Sequence, residues 1–263
     1  MCIRDRLWRT GAALLMAGAL FAVQRQPWPG LPALRIHVWR GLVTSVMAFL
    51  FFWGLVHVPI AEAIALTFIA PLIALYLAAA LLKEHIGPGA ITASVLGFIG
   101  GVIIIQGRLS GDYDRDTALG ILAITCSAVL YAYNLILQRQ QALIAGPVEI
   151  ALFQNATVVS CYLLLAPALA VVPDMSKLPE LVGAAALAIV SVLLLSWAYA
   201  RAEARTLIPV EYTAFAWAAL FGWLAFDESV TTQTLVGTGL IVCGCLVAAR
   251  AGSAVDHVET TAI

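Results

Sequence analysis

From Leu7 to Ala249 the chain divides into apolar stretches of about 18 to 26 residues, each long enough to cross lipid hydrocarbon. Short polar or Pro/Gly-bearing breaks separate them. In lipid, backbone N–H and C=O groups have no water to bond, so a spanning chain must form helices or a closed barrel. A barrel would show alternating segments of about 10 residues. Here the runs are continuous, as in Gly89–Gln106 (GAITASVLGFIGGVIIIQ). The expected fold is all-α, a polytopic bundle of membrane helices. Charged residues make up 11% of the chain and hydrophobic ones 62%. A soluble domain carries roughly 25% charged residues, so this chain has too little polar surface to coat a water-facing globule.

Nine spans are expected, at Leu7–Gln24, Trp39–His57, Ile60–Leu82, Pro88–Gln106, Thr117–Gln138, Pro147–Val172, Pro179–Tyr199, Thr206–Phe226 and Thr231–Ala249. Pro88, Pro147 and Pro179 stand at helix starts, where a missing N–H loses no intrahelical bond. Alternate breaks carry Arg25, Arg35, Arg40, Lys83, Arg139, Arg201, Arg205 and Arg250. The opposite set carries Arg4, Arg6, Arg9, Arg108, Arg115 and Lys177, along with most of the loop carboxylates. The positive-inside rule then places the first set, and the C-terminus, in the cytoplasm. Net charge is −1, which gives no reason to expect a nucleic-acid partner. The five cysteines are odd in number, and four of them lie inside apolar runs. There they act as small hydrophobes rather than as a disulfide framework or metal site. No cofactor is expected.

Ala80–Ile104 aligns without gaps on Leu224–Ala248, at an offset of 144 residues that brings Glu84 onto Glu228. Gly100 falls on Gly244 and Leu96 on Leu240. The alignment equates the third span with the eighth and the fourth with the ninth. An odd offset in helices reverses direction, so the two copies run inverted through the membrane, an architecture common in secondary transporters. The expected repeats are residues 7–106 and 117–250. The second has five helices and the first only four. With the polar opening Met1–Arg6 (MCIRDR), this suggests a truncated reading frame joined to foreign sequence. A natural nine-helix chain is the other reading.

Pro59-Ile-Ala-Glu-Ala-Ile-Ala-Leu-Thr-Phe-Ile-Ala-Pro71, followed by Leu82-Lys-Glu-His-Ile86, resembles the first-repeat signature of EamA-type proteins of the drug/metabolite transporter superfamily. The second repeat is similar, with Ile208-Pro-Val-Glu-Tyr-Thr213, Trp217–Trp223, Phe226-Asp-Glu228 and Gly237 through Gly244. Arg40-Gly41 also fits one branch of that family. The resemblance implies two inverted five-helix repeats, both termini cytoplasmic, a bacterial inner-membrane setting and a small-molecule substrate. Its missing first helix, which helps line the central cavity in the family, bears on transport competence.

Ionisable groups inside a membrane are expensive and therefore candidates for function. Glu211 lies about 7 Å along its span from the start, at 1.5 Å per residue. It reads either as a proton-coupling or substrate-contacting carboxylate, or as an interfacial group near a helix start. Glu62 is a second coupling candidate, with a first-turn role complementing the helix dipole as its alternative. Ser127, Tyr131, Asn134 and Gln138 share one helical face by their spacing. A polar stripe must face protein or water, so it is either a cavity wall or an interhelical hydrogen-bond seam. Gln154 and Asn155 interrupt an apolar stretch and carry the same two readings. Asn155-Ala-Thr157 has the form of a glycosylation sequon but lies mid-span. Trp53, Trp197, Tyr199 and Trp217 could stack on a planar substrate or serve as packing and belt aromatics. Thr67 and Tyr212, inside the motifs quoted above, complete the cavity candidates. His57 is expected at an exposed loop edge, and Arg40 at a helix end, snorkelling to water. Gly97 and Gly101 form a small-xxx-small pair for packing within the bundle or for a homodimer.

Three functions compete. The first is a transporter or exporter of small organic metabolites or drugs, working by alternating access. No nucleotide-binding loop is present to make ATP its direct driver. The second is a transport-incompetent fragment. The third is an intramembrane enzyme, which would need clustered nucleophiles, carboxylates or histidines at membrane depth. His37, His57, His85 and His257 all read as loop, loop-edge or tail residues, so the chain is not expected to be an enzyme.

Overall fold

The computed structural model describes residues 4–58, 63, 66, 67, 69–105, 115–169, 176, 178–214, 217, 220, 221, 224, 232, 235–237, 239–244, 246 and 247. Among these, every regular element is a helix or helical turn, as an all-α bundle requires. In order they are α1 (Arg4–Gln24), α2 (Leu31–Gly54), α3 (Ile69–Leu77) with a π-helical turn at Ala78–Leu82, α4 (Pro88–Ile105), α5 (Arg115–Ile144), α6 (Pro147–Leu169), α7 (Leu178–Arg201) and the short α8 (Ala204–Leu207). A 3-10 turn, Ile208–Tyr212, continues α8. Among the described residues five stretches are long and apolar enough to cross a membrane: Leu7–Gln24, Leu31–Gly54, Arg115–Ile144, Pro147–Leu164 and Leu178–Arg201. Shorter apolar helices cover Ile69–Leu82, Pro88–Ile103 and Leu235–Gly244.

Two boundaries differ most from the sequence expectation. Helix α2 begins at Leu31, with Pro32 in its first turn, rather than at Trp39. Helix α5 continues from Gln138 to Ile144. Both extensions carry polar residues that read as loop in the sequence. Within them His37 and Gln141 face one another inside the protein. Pro88 and Pro147 open α4 and α6 as expected.

The chain forms two compact units. The first comprises Met1–Phe52 and Leu137–Arg201, the second Trp53–Ile136 and Ala202–Ile263. Within the first, α1 packs on α6 and α7. Ala13, Ala17, Ala151, Ala185 and Ile189 form the seam. Membrane helices lack a hydrophobic drive toward one another, so small side chains that permit close van der Waals approach take its place. Gly41 continues this logic between α2 and α6, where a Cβ would stand 2.5 Å from Thr157 Cβ. Apolar side chains on the outer faces, such as Leu15, Val23, Leu164 and Leu187, are more than 70% exposed. That is the surface lipid would wet.

Within the second unit, Gly54 meets Ile124, and Gly120 meets Val58 and His57. Gly100 approaches the carbonyl of Gly237, where an added Cβ would lie 2.6 Å away. Gly97 faces the ring of Tyr212, and a methyl group there would overlap it. The close approaches at Gly97 and Gly100 are thus used within this unit. Lys83 closes the π-helical turn in the left-handed region, at φ 57°.

Candidate functional site

The second unit holds Glu211, the carboxylate that sequence position singles out most sharply. Glu211 sits in the 3-10 turn, which follows Pro209 and α8. Its Oε2 accepts a 2.6 Å hydrogen bond from the hydroxyl of Tyr131 on α5. Among the described residues Glu211 makes no ion pair. Charge-assisted bonds of this kind are short and strong. Ser127 and Asn134, on the same face of α5 as Tyr131, are 3% and 6% exposed. Tyr212, the next residue after Glu211, is 1% exposed, and its ring lies against Gly97 of α4.

The turn is also held from its start. Glu84, in the loop after the π-helical turn, accepts from the backbone N–H groups of Ala204 (3.1 Å) and Arg205 (3.0 Å). Arg205 in turn donates Nη1 to the His85 carbonyl at 2.5 Å and pairs with Glu203. The carboxylate meets orphan amides at a helix start, where negative charge is favoured. We expect Glu84→Ala to destabilise the protein by about 1 kcal/mol, the usual loss for such a cap. Thermal unfolding in detergent, beside Glu84→Gln as the partial replacement, measures it.

The other candidates scatter. Gln138 turns away from the Tyr131 partnership and accepts from Arg40 Nη2 at 2.9 Å. Gln154 Nε2 reaches Thr44 Oγ1 at 3.5 Å, while its buried Oε1 has no partner among the described residues. Asn155 donates to the Ala151 carbonyl of its own helix at 2.7 Å. Trp197 is half-exposed, with the Arg201 guanidinium 4.4 Å from its ring centroid. Trp217 stacks on Phe221 and is likewise half-exposed. Trp53 is half-buried against His57, whose Nδ1 lies 3.0 Å from the Trp53 carbonyl. His57 stands in the turn after α2, at a loop edge as expected, but half-buried rather than exposed. Thr67 is half-buried and helical. Glu62, Pro59 and the acidic turn Asp227–Glu228 lie outside the described residues.

The first unit contains a polar cluster that the sequence reading missed. Arg40 does not snorkel. It is 3% exposed inside α2 and donates Nη1 to Gln141 Oε1 at 2.5 Å. His37, expected in a loop, is a fully buried α2 residue. Its Nε2 lies 2.9 Å from Glu149 Oε1, and the ring stacks on Phe153. The available signal was the i, i+3 pairs His37/Arg40 and Gln138/Gln141, which put each pair on one helical face. Among the described residues no group of three or more His, Cys, Asp or Glu could hold a metal ion.

Comparison with known proteins gives the chemistry a setting. The profile of the EamA-like transporter family matches residues 6–106 and 118–250. A riboflavin transporter of Rhizobium johnstonii is 30% identical over 246 residues, covering 91% of this chain and 78% of its own. A riboflavin transporter of Brucella anthropi is 26% identical over 224 residues, with 83% and 77% covered. The pseudopaline exporter CntI of Pseudomonas aeruginosa is 26% identical over 240 residues, with 90% and 80% covered. One solved crystal structure, 24% identical, superposes with a TM-score of 0.74 over 94% of this chain and 86% of the other. That likeness establishes the shared fold.

Proposed function

Since this chain belongs to the EamA-like transporter family, and is an integral membrane transporter of small molecules rather than an enzyme, we propose that it moves an organic metabolite by alternating access. The two inverted repeats, residues 7–106 and 117–250, supply the two access states. The setting proposed is the bacterial inner membrane, with the C-terminus cytoplasmic. Glu211 is the coupling carboxylate. Tyr131, which bonds it, and Ser127, Asn134 and Tyr212 are the cavity residues of this reading.

The supporting observation is the Tyr131–Glu211 hydrogen bond. A carboxylate at this position is costly in a membrane protein unless it works. A phenol as its described partner leaves the carboxylate able to exchange that bond for a proton or for a polar group of the substrate. An ion pair with arginine would fix its charge and oppose such exchange.

The relatives suggest the first probes. Purified protein in proteoliposomes is expected to carry riboflavin or pseudopaline down an imposed gradient, with saturation, above the leak of empty liposomes. Flux of both probes and of a wider metabolite panel at the empty-liposome rate would reject a transport-competent chain and favour the incompetent-fragment reading.

A further inference from the structure

The buried polar cluster of the first unit plays no part in the transport proposal and stands independently of it. Arg40 donates to both Gln141 Oε1 (2.5 Å) and Gln138 Oε1 (2.9 Å). The amide nitrogen of Gln141 faces His37 Nδ1. His37 Nε2 faces Glu149 Oε1 at 2.9 Å. His37 and Gln141 are both 0% exposed.

The direction of every bond in this chain follows from chemistry alone. A guanidinium can only donate. The Gln141 oxygen must therefore point at Arg40, which turns the Gln141 NH2 toward His37. An amide NH2 also only donates, so His37 Nδ1 must accept and carries no proton. The ring is then the neutral tautomer with its proton on Nε2, which donates to the Glu149 carboxylate. All the bonds run one way, from Arg40 through Gln141 and His37 to Glu149.

We propose that this one-way chain is a proton-sensitive latch, with His37 as its proton-binding site, that ties the last turns of α5 to α2. A second proton on His37 would place an N–H on Nδ1 against the NH2 of Gln141. Turning the amide over gives no relief, because it sets the NH2 against Arg40 instead. A buried donor left facing a donor loses its hydrogen bond and its hydration together. Meanwhile the doubly protonated ring binds Glu149 more strongly. Protonation thus tightens α2 onto α6 and breaks the His37–Gln141 bond to α5, leaving the Arg40 bonds to Gln138 and Gln141 as its remaining tie. Among the described residues the charged groups facing His37 are Glu149 from α6 and Arg40 from its own helix. From α5 come only the uncharged Gln138 and Gln141, since Arg139 is turned to the Tyr199 carbonyl. Arg35 of α2 is exposed, and Arg201 of α7 lies over Trp197.

Backbone amide exchange of residues 137–146 tests the latch, with the full chain in lipid nanodiscs between about pH 8 and pH 5, a window that reaches well below the midpoint of a free histidine. After correction for intrinsic rates, exchange should accelerate on the order of tenfold as pH falls. Gln141→Glu supplies a carboxylate that accepts from both Arg40 and the doubly protonated ring, so its acceleration should vanish. His37→Gln should also show none. Nitrogen NMR of the histidine ring at about pH 8, assigned by the signal missing in His37→Gln, should find the proton on Nε2. If that variant does not fold, Gln141→Glu provides the assignment through its shifted signal. A wild type that does not accelerate, equal acceleration in Gln141→Glu, or a proton on Nδ1 would each overturn the proposal.

Discussion

Glu211→Gln is expected to insert and fold as the parent does, yet to transport at least about tenfold more slowly and with a rate that no longer depends on pH. Glutamine has nearly the same shape, and its carbonyl oxygen can still accept from the Tyr131 hydroxyl, now 2.6 Å from Glu211. What it loses is the ability to carry a charge or take up a proton. A structural role survives that change, and a coupling role does not. Tyr131→Phe provides the complement. It removes the donor while leaving the carboxylate, so the pH dependence should persist with an altered midpoint. Initial rates in proteoliposomes across a pH series, beside thermal unfolding of each variant, separate the two roles. A Glu211→Gln protein with parental rates and parental pH dependence would remove Glu211 from the mechanism.

The largest structural effect is expected at Gly97. Its Cα faces the Tyr212 ring closely enough that even a single methyl would overlap. Tyr212 is 1% exposed, its ring enclosed by protein. It is also the immediate neighbour of Glu211, so displacing it should disturb the carboxylate proposed to couple transport. Gly97→Val should therefore destabilise the protein by about 3 kcal/mol, the upper end for overpacked interiors. It should depress transport beyond what the lost folded fraction explains. Tyr212→Ala opens the missing volume, so the double variant should recover part of the loss. Additive effects of the two substitutions in that cycle would show that they do not share a contact.

Much of this architecture is legible in the sequence because lipid imposes a length. Runs such as Pro88–Ile105 and Leu178–Arg201 need no tertiary information to be recognised as helices. The misplaced ends are informative. Arg35 and His37 look like a loop when read one residue at a time, and so do Arg139 and Gln141, while Arg40 and Gln138 look like helix ends. Their partners lie about 100 residues away, as for Arg40 with Gln141 or His37 with Glu149. Burial that depends on a distant partner cannot be inferred from local hydropathy. The same limit applies to the site. Glu211 and Tyr131 each stand out as a polar residue in an apolar span. Their pairing across 80 residues of sequence is a property of the fold. The stripe on α5 illustrates the point further, since helical spacing puts Tyr131 and Gln138 on one face. Only the neighbours show that one meets Glu211 and the other Arg40.

The central claim, that substrate movement is coupled through a carboxylate at position 211, is tested most directly by following protons. Proteoliposomes enclosing a pH-sensitive dye, with equal pH on both sides, receive a gradient of a substrate that the protein has been found to carry. The account predicts that the gradient drives a proton flux in the wild type and none in Glu211→Gln. Substrate crossing with no accompanying proton flux, or an equal flux in both proteins, would contradict it.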